Sequence, residues 1–470
     1  MTEALLIRDA QVGGALVDLR VSGGRITAMG RYLEVSPGAR VVDCGGGAVL
    51  PGLHDHHLHL LATAAAARSV DLGRAAVRDR AGLAHALRRA DRTLAPGEWL
   101  RGIGYHESFA GDLDRHSLDA FIAARPARVQ HRSGARWTLN TAGVQALGLA
   151  ELDRSGVERD ASGIPTGRLH RADRWLRTLL PDTDIADLGA LGRRLASYGV
   201  TGVTDATPYE DVGELAAIAH AHGTRDLPQR VMVTGGTTLT SAQFPGDLER
   251  GPVKVIIDDA DYPALEDLAG WIDDAHANSR NIAIHCVTRT ALALAVAAWN
   301  TSGSMPGDRV EHASVAPPDL RRALASLGIT IVTQPAFVTE RGDQYLEEVD
   351  RDDVAHLYPC RSLLEAGIAV AGSTDSPYSN PDPWTAILAA TTRKTALGAV
   401  VGPDQRISPI RALGMFLADL CVPGGPPRAV ATGRPADLCV LDCSIEIALA
   451  RPDSQRVRMT ICSGAVAFER

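Results

Sequence analysis

The chain has 470 residues, 45% hydrophobic and 22% charged, with a formal net charge of −8. A chain this long can bury a large core without staples, and its acidic balance excludes the basic domain usual in nucleic-acid binders. No run approaches the ~18 consecutive apolar residues of a membrane span, and the opening MTEALLIRDAQVGG lacks the basic-then-apolar order of a secretory signal.

In chain order, residues 1–50 read as short alternating strands broken by glycines, as in ALLIRDAQV, ALVDLRVSGGRITAMG and ARVVDCGGGAVL. AVLPGLHDHHLH opens a second series. Residues 62–190 are too many for one crossover; they hold a helix over 80–94, β-like runs (ARVQHRSGARWTLN) and Gly/Pro-rich loops (RDASGIPTGRL), and are expected to elaborate the mouth of the main domain. Strand–helix alternation then resumes at VTGVTDA (200–206), RVMVTGG (230–236), VKVIID (253–258), NIAIHC (281–286), RVEHA (309–313), ITIVTQ (329–334) and IAVAGSTD (368–375). Amphipathic stretches such as PALEDLAGWIDDAHANS lie between. Such alternation implies a parallel sheet. Eight strands of this kind imply a distorted (β/α)₈ TIM barrel over residues 51–423. The last fifty residues return to alternating runs, ADLCVLDC and RVRMTICSGAVAFER. Segments 1–50 and 424–470 are therefore expected to pair into one small β-sandwich domain.

Seven cysteines, at 44, 286, 360, 421, 439, 443 and 462, are odd in number and form no C-x-x-C pair. They fit a reduced, cytoplasmic setting. Cys439 and Cys443 read as core residues, and the Arg-rich helix LAHALRRADRTL as a solvated face.

Active sites of (β/α)₈ enzymes lie at the C-terminal strand ends. The first strand ends in Asp55-His56-His57-Leu58-His59. Side chains alternate along a strand, so Asp55, His57 and His59 share one face and His54 and His56 the other. An H-x-H pair on one face can chelate a metal through two imidazoles. Lys254 begins the fourth strand, and His285, His312 and Asp375 end the fifth, sixth and eighth. Their separations of 31, 27 and 63 residues each match whole βα units. Asp55 is expected to support a ligand histidine rather than bind metal, and His54 and His56 to pack. Other histidines, such as His131, His170 and His356, read as surface residues, while His106 (in GYHES) and Tyr378 are candidates to touch substrate.

With Pro51, Gly52, Asp55, His57 and His59 spelling P-G-x-x-D-x-H-x-H, followed by the Lys, His, His and Asp above, the chain resembles the amidohydrolase superfamily. The stretches EWLRGIGY, PTGRL, YGVTGVTDA, DRVEHA and VAGSTDSPYSNPDP are similar to the branch holding N-substituted formamide deformylases and YtcJ-like proteins. Gly433 to Asp442 resembles that family's return to its small sandwich. The substrate-facing segments depart from the branch: Ala135 stands where a histidine is common, His285-Cys286-Val287-Thr288-Arg289 replaces H-x-x-G-D, and Asp259 replaces a glycine after Asp258.

The resemblance implies a divalent metal, Zn²⁺ foremost, at one or two ions per chain. His57, His59 and Asp375 would hold the first. His285 and His312 would hold a second, or one of them would touch the substrate oxygen. Lys254 would be N6-carboxylated to bridge two ions, the alternative being one ion with an unmodified lysine. Asp375 and His312 are the candidate catalytic residues, Asp375 moving a proton from water to the leaving nitrogen. The implied activity is hydrolysis of an amide-type C–N bond (N-acyl, N-formyl or cyclic) in a small molecule. The alternatives are deamination of a cyclic amidine or aminated heterocycle, and a catalytically silent metal-binding protein. No nucleic-acid or membrane partner is expected, and apolar helices such as RALGMFLADLC leave room for a homodimer.

Overall fold

The computed structural model describes residues 4–74, 76–180 and 187–470, apart from the side chains of 173 and 174. The fold is α/β. It divides into two compact units, Met1–Leu60 with Leu188–Arg470, and Leu61–Asp187.

In the first unit β1 (Leu5–Val12), β2 (Ala15–Ser22), β3 (Arg25–Gly30) and β4 (Arg40–Asp43) form one sheet in the order β3-β2-β1-β4. The run AVLPGLHDHHLH, expected as one strand, is two: β5 (Val49–Pro51) and β6 (Leu53–Leu58). The break falls at Gly52, where the Thr201 side chain fills the space that a Cβ would need. Here the chain leaves one sheet for another.

The second unit carries β7 (Val70–Asp71), β8 (Leu100–Tyr105), β9 (Ala127–His131), β10 (Arg136–Leu139), β11 (Val157–Arg159) and β12 (Pro165–His170). They form one mixed sheet in the order β11-β12-β10-β9-β8-β7. β7, β8 and β9 run parallel, whereas β10, β11 and β12 pair antiparallel.

Back in the first unit, β13 (Val200–Asp205), β14 (Arg230–Val233) and β15 (Glu249–Arg250) join β6 in a parallel sheet, order β15-β14-β13-β6. β16 (Val253–Ile256), β17 (Ile282–Cys286), β18 (Arg309–His312), β19 (Thr330–Thr333) and β20 (Val370–Gly372) form a second parallel sheet in sequence order. Every residue of β6, β13, β18, β19 and β20 is buried, as expected of parallel strands covered on both faces. Backbone hydrogen bonds link the two sheets at both margins: Lys254 N donates to Gly235 O (2.7 Å), and Asp375 N donates to His57 O (2.8 Å).

The last strands are β21 (Leu438–Leu441), β22 (Val457–Cys462) and β23 (Ala465–Glu469), in a sheet ordered β23-β22-β21-β5. A short helix, Ile445–Ala450, interrupts a region that reads as all-β in the sequence. The two terminal sheets contribute to one apolar cluster, with Leu5, Ile7, Leu19 and Ile26 from one and Val49, Leu438, Val440, Met459 and Ile461 from the other. Among the described residues no helix is long and apolar enough to cross a membrane.

Candidate metal centre

The parallel sheets bring side chains from four strand ends together. His57 lies in β6 and His59 just beyond it. Asp375 follows β20, and its carboxylate Oδ1 stands 3.3 Å from both His57 Nε2 and His59 Nε2. The three donor atoms all lie within 4.8 Å of one another. Asp375 and His312 both adopt left-handed backbone (φ 57° and 76°). Such conformations are uncommon for residues with a Cβ and are held only where the surroundings enforce them.

His312 extends the group. Its ring centre is 5.0 Å from that of His57 and 4.3 Å from that of His285, and its Nδ1 is 4.0 Å from Asp375 Oδ2. Lys254 is 2% exposed, its Nζ has no hydrogen-bond partner, and Glu311 and Asp375 lie within electrostatic range. Burial pushes its pKa down to about 8, so neutral amine is accessible near neutral pH. Tyr378 sits edge-on to His59, ring centres 5.5 Å apart.

Partners at Nδ1 fix the rings. His57 Nδ1 is 2.5 Å from Glu311 Oε2. Glu311 is held ionised: burial would raise its pKa, but Arg309, Lys254 and His57 outweigh that and pull it well below the usual carboxylate range. His57 therefore donates from Nδ1. His59 Nδ1 lies 2.8 Å from the Thr207 hydroxyl. His312 Nδ1 meets Gln334 Oε1 at 2.8 Å. The Gln334 amide group donates to Val332 O, which places Oε1 toward His312 and the proton on His312 Nδ1. The Nε2 lone pairs of His57 and His312 thus remain for a cation, the arrangement in which outer partners orient metal-ligating imidazoles.

The donor set passes a simple test of fit. Asp375 Oδ1 is buried and accepts no hydrogen bond, yet faces two ring nitrogens. Oxygen and nitrogen lone pairs at that spacing repel unless a positive charge lies between them. Burial would raise the Asp375 carboxyl, but the His57, His59 and His312 rings hold it well below its ordinary range, so it is a carboxylate. For His57, burial and Lys254 act to lower the pKa, but Glu311 and Asp375 outweigh them and raise it. The site attracts positive charge.

Asp55 accepts from His57 N (3.2 Å) and from Thr374 N (3.1 Å) and the Thr374 hydroxyl (2.5 Å), bracing β6 against the segment that carries Asp375. His54 and His56 are fully buried, and burial pulls both pKa values down, that of His56 to about 3.

Residues 40–468 match the amidohydrolase family. The chain belongs to that family. This amidohydrolase is 27% identical to the N-substituted formamide deformylase of Arthrobacter pascens, over 96% of this chain and 94% of that one. It is 22% identical to the putative amidohydrolase YtcJ of Bacillus subtilis strain 168, over 96% and 95% of the two chains. Its fold is similar to that of an uncharacterized metal-dependent hydrolase from Pyrococcus horikoshii (TM-score 0.72, 22% identity, 94% and 97% covered). The amidohydrolase is a hydrolase of carbon–nitrogen bonds, and the family together with the His57–His59–Asp375 donor set supports a divalent metal.

The second unit of the amidohydrolase holds another group whose donor atoms lie within 4.8 Å: His106, Glu107 and His131. His106 directly follows β8 and His131 ends the adjacent parallel β9, their ring centres 4.9 Å apart. Each starts an H-x-S turn in which the serine N–H donates to the ring: Ser108 N to His106 Nδ1 (3.1 Å) and Ser133 N to His131 Nδ1 (3.2 Å). Nδ1 is thereby an acceptor, so in the neutral ring the proton sits on Nε2. Burial keeps His131 neutral, its pKa pushed down to about 4. Its Nε2 is 3.2 Å from Glu107 Oε2, which also accepts from Arg136 (3.0 Å).

Sequence reasoning passed over Glu311, Thr207 and Gln334. Glu311 stood in view beside His312 in RVEHA, and Gln334 closes ITIVTQ; a polar residue at the end of an apolar buried strand is the signal that could have marked both.

Proposed function

We propose that this chain hydrolyses an amide-type C–N bond of a small molecule, N-formyl, N-acyl or cyclic, with a divalent metal of which zinc is the first choice. The observation that carries the reading is Asp375 Oδ1, buried without a hydrogen bond and 3.3 Å from the Nε2 atoms of both His57 and His59. His57, His59 and Asp375 would hold one ion. His312, with its Nε2 lone pair directed by Gln334, and His285 beside it would serve a second, and Lys254 would join the two positions as a carbamate. The unpartnered, buried Nζ of Lys254 supports that modification, since the neutral amine is the form that takes up CO₂. Such a metal acidifies water and polarises a carbonyl.

The residues supply the rest. The Asp375 carboxylate takes a proton from the attacking water and returns it to the leaving nitrogen, so the C–N bond breaks with release of a neutral amine. Tyr378, edge-on to His59, would line the pocket. We further read the parallel strands as a closed (β/α)₈ barrel over 51–423, supported by the bonds between sheets at Lys254 and Asp375. The terminal sheets form a small sandwich domain over 1–50 and 424–470, supported by their common apolar cluster. A cytoplasmic setting agrees with seven cysteines that are all free.

The test is metal analysis of the purified, chelated and reloaded protein, with turnover assays on formamides, N-acyl amino acids, cyclic ureas and aminated heterocycles. Metal-dependent release of an amine with a new carboxylate is expected. Absence of metal uptake overturns the reading. Ammonia without a new carboxylate makes the enzyme a deaminase, and one ion per chain removes the bridging carbamate.

A further inference from the structure

We propose that Glu311 is a positioning residue that makes His57 a metal ligand, with Arg309 fixing Glu311 in turn. The inference rests on the metal centre proposed above. Arg309, Glu311 and His57 are all 0–1% exposed. The two carboxylate oxygens are divided between two tasks: Oε1 accepts from Arg309 Nε at 2.7 Å, and Oε2 from His57 Nδ1 at 2.5 Å. An ionised carboxylate only accepts, so this contact selects the ring form whose Nε2 lone pair is free. It also fixes the ring's rotation, because His57 Nε2 must then face Asp375 Oδ1.

Glu311 reaches this position from a distant strand. β18 pairs with β17 and β19, whereas β6 pairs with β13. The next residue, His312, turns through φ 76° and directs its own ring to Gln334. Two consecutive residues of β18 thus do different work: one orients a ligand carried by β6, and the other offers a ligand itself. A buried ion pair between Arg309 and Glu311 gives little net stability over apolar side chains of similar volume. Orientation of His57 is a reason for the pair that stability does not supply.

Glu311→Gln, Glu311→Leu and the double variant Arg309→Met/Glu311→Leu test the idea; the last removes both charges together, so neither is left buried alone. Thermal melts of the metal-free proteins and zinc dissociation constants from chelator competition are compared. Loss of an outer partner of a ligand weakens metal binding about 10–100-fold. Glu311→Gln, which keeps an acceptor for Nδ1–H, is expected to bind zinc more weakly than wild type, and Glu311→Leu more weakly still. The double variant should melt closer to wild type than Glu311→Leu yet bind zinc no better than Glu311→Leu. Folded variants with wild-type zinc affinity, or affinities that simply follow the melting temperature, overturn the proposal and leave the metal centre standing. A wild-type protein that takes up no zinc overturns the metal centre and this inference with it.

Discussion

At His57, His59 and Asp375, and again at His106, His131 and Glu107, two histidines meet one carboxylate with donor atoms inside 4.8 Å. What separates the two groups is the far side of each ring. His57 Nδ1 faces the Glu311 carboxylate, an obligate acceptor, which leaves Nε2 bare. The Nδ1 atoms of His106 and His131 face serine N–H groups, obligate donors, which leave the proton on Nε2. His57 presents a lone pair to a cation, whereas His131 presents an N–H to Glu107, 3.2 Å away. Proximity of donor atoms is therefore a weak criterion for a metal site, and the partner of the other ring nitrogen is a stronger one.

The contrast can be broken most directly at the carboxylates. Asp375→Asn is expected to lower kcat/KM by about 10³-fold, within the ~10²–10⁴-fold that positioned proton transfer supplies. A variant with wild-type turnover on a substrate found in the screen would remove Asp375 from catalysis. Next in size is a pH effect. Burial lowers the Lys254 pKa to about 8 from the 10.5 of an unhindered lysine. Between those values the unfolded chain binds more protons than the folded one, so the metal-free fold gains stability as pH rises through that window, on the order of 3 kcal/mol. Below about pH 8 both states are protonated and this contribution is absent. Metal-free melts of wild type and Lys254→Met across pH 7–10.5 should diverge in that sense; parallel curves would show that the amine is not desolvated. Thr207→Val, which keeps the shape but removes the partner of His59 Nδ1, should weaken zinc binding roughly tenfold. Last, Glu107→Gln should leave bound metal per chain unchanged. A loss of one equivalent would show that the second group takes a metal after all.

The alternation of strands and helices, and the strand ends that carry His57, His285, His312 and Asp375, were legible because both are one-dimensional periodicities of burial. The partners of the ring nitrogens were not. Glu311 and His57 are 254 residues apart, and no local pattern states which carboxylate a strand-end imidazole will face once the sheets assemble. Local competition misled elsewhere. AVLPGLHDHHLH alternates like one strand, but close approach of Thr201 to Gly52 divides it between two sheets. In the C-terminal region IEIALA takes a helical turn where the surrounding pattern suggested strands alone. His106 reads in sequence as one histidine in a loop; its pairing with His131 depends on β8 and β9 lying parallel in one sheet.

The apolar cluster common to the terminal sheets has a consequence for how the chain is made. Leu5, Ile7 and Leu19 pack with Leu438, Val440, Met459 and Ile461, residues that a ribosome delivers more than 400 positions later. At ~5–20 residues per second, the first sheet waits on the order of 20–90 s with its inner face uncovered. Nascent chains stalled short of residue 438 should therefore engage chaperones through their first strands, and should let go once the closing strands emerge.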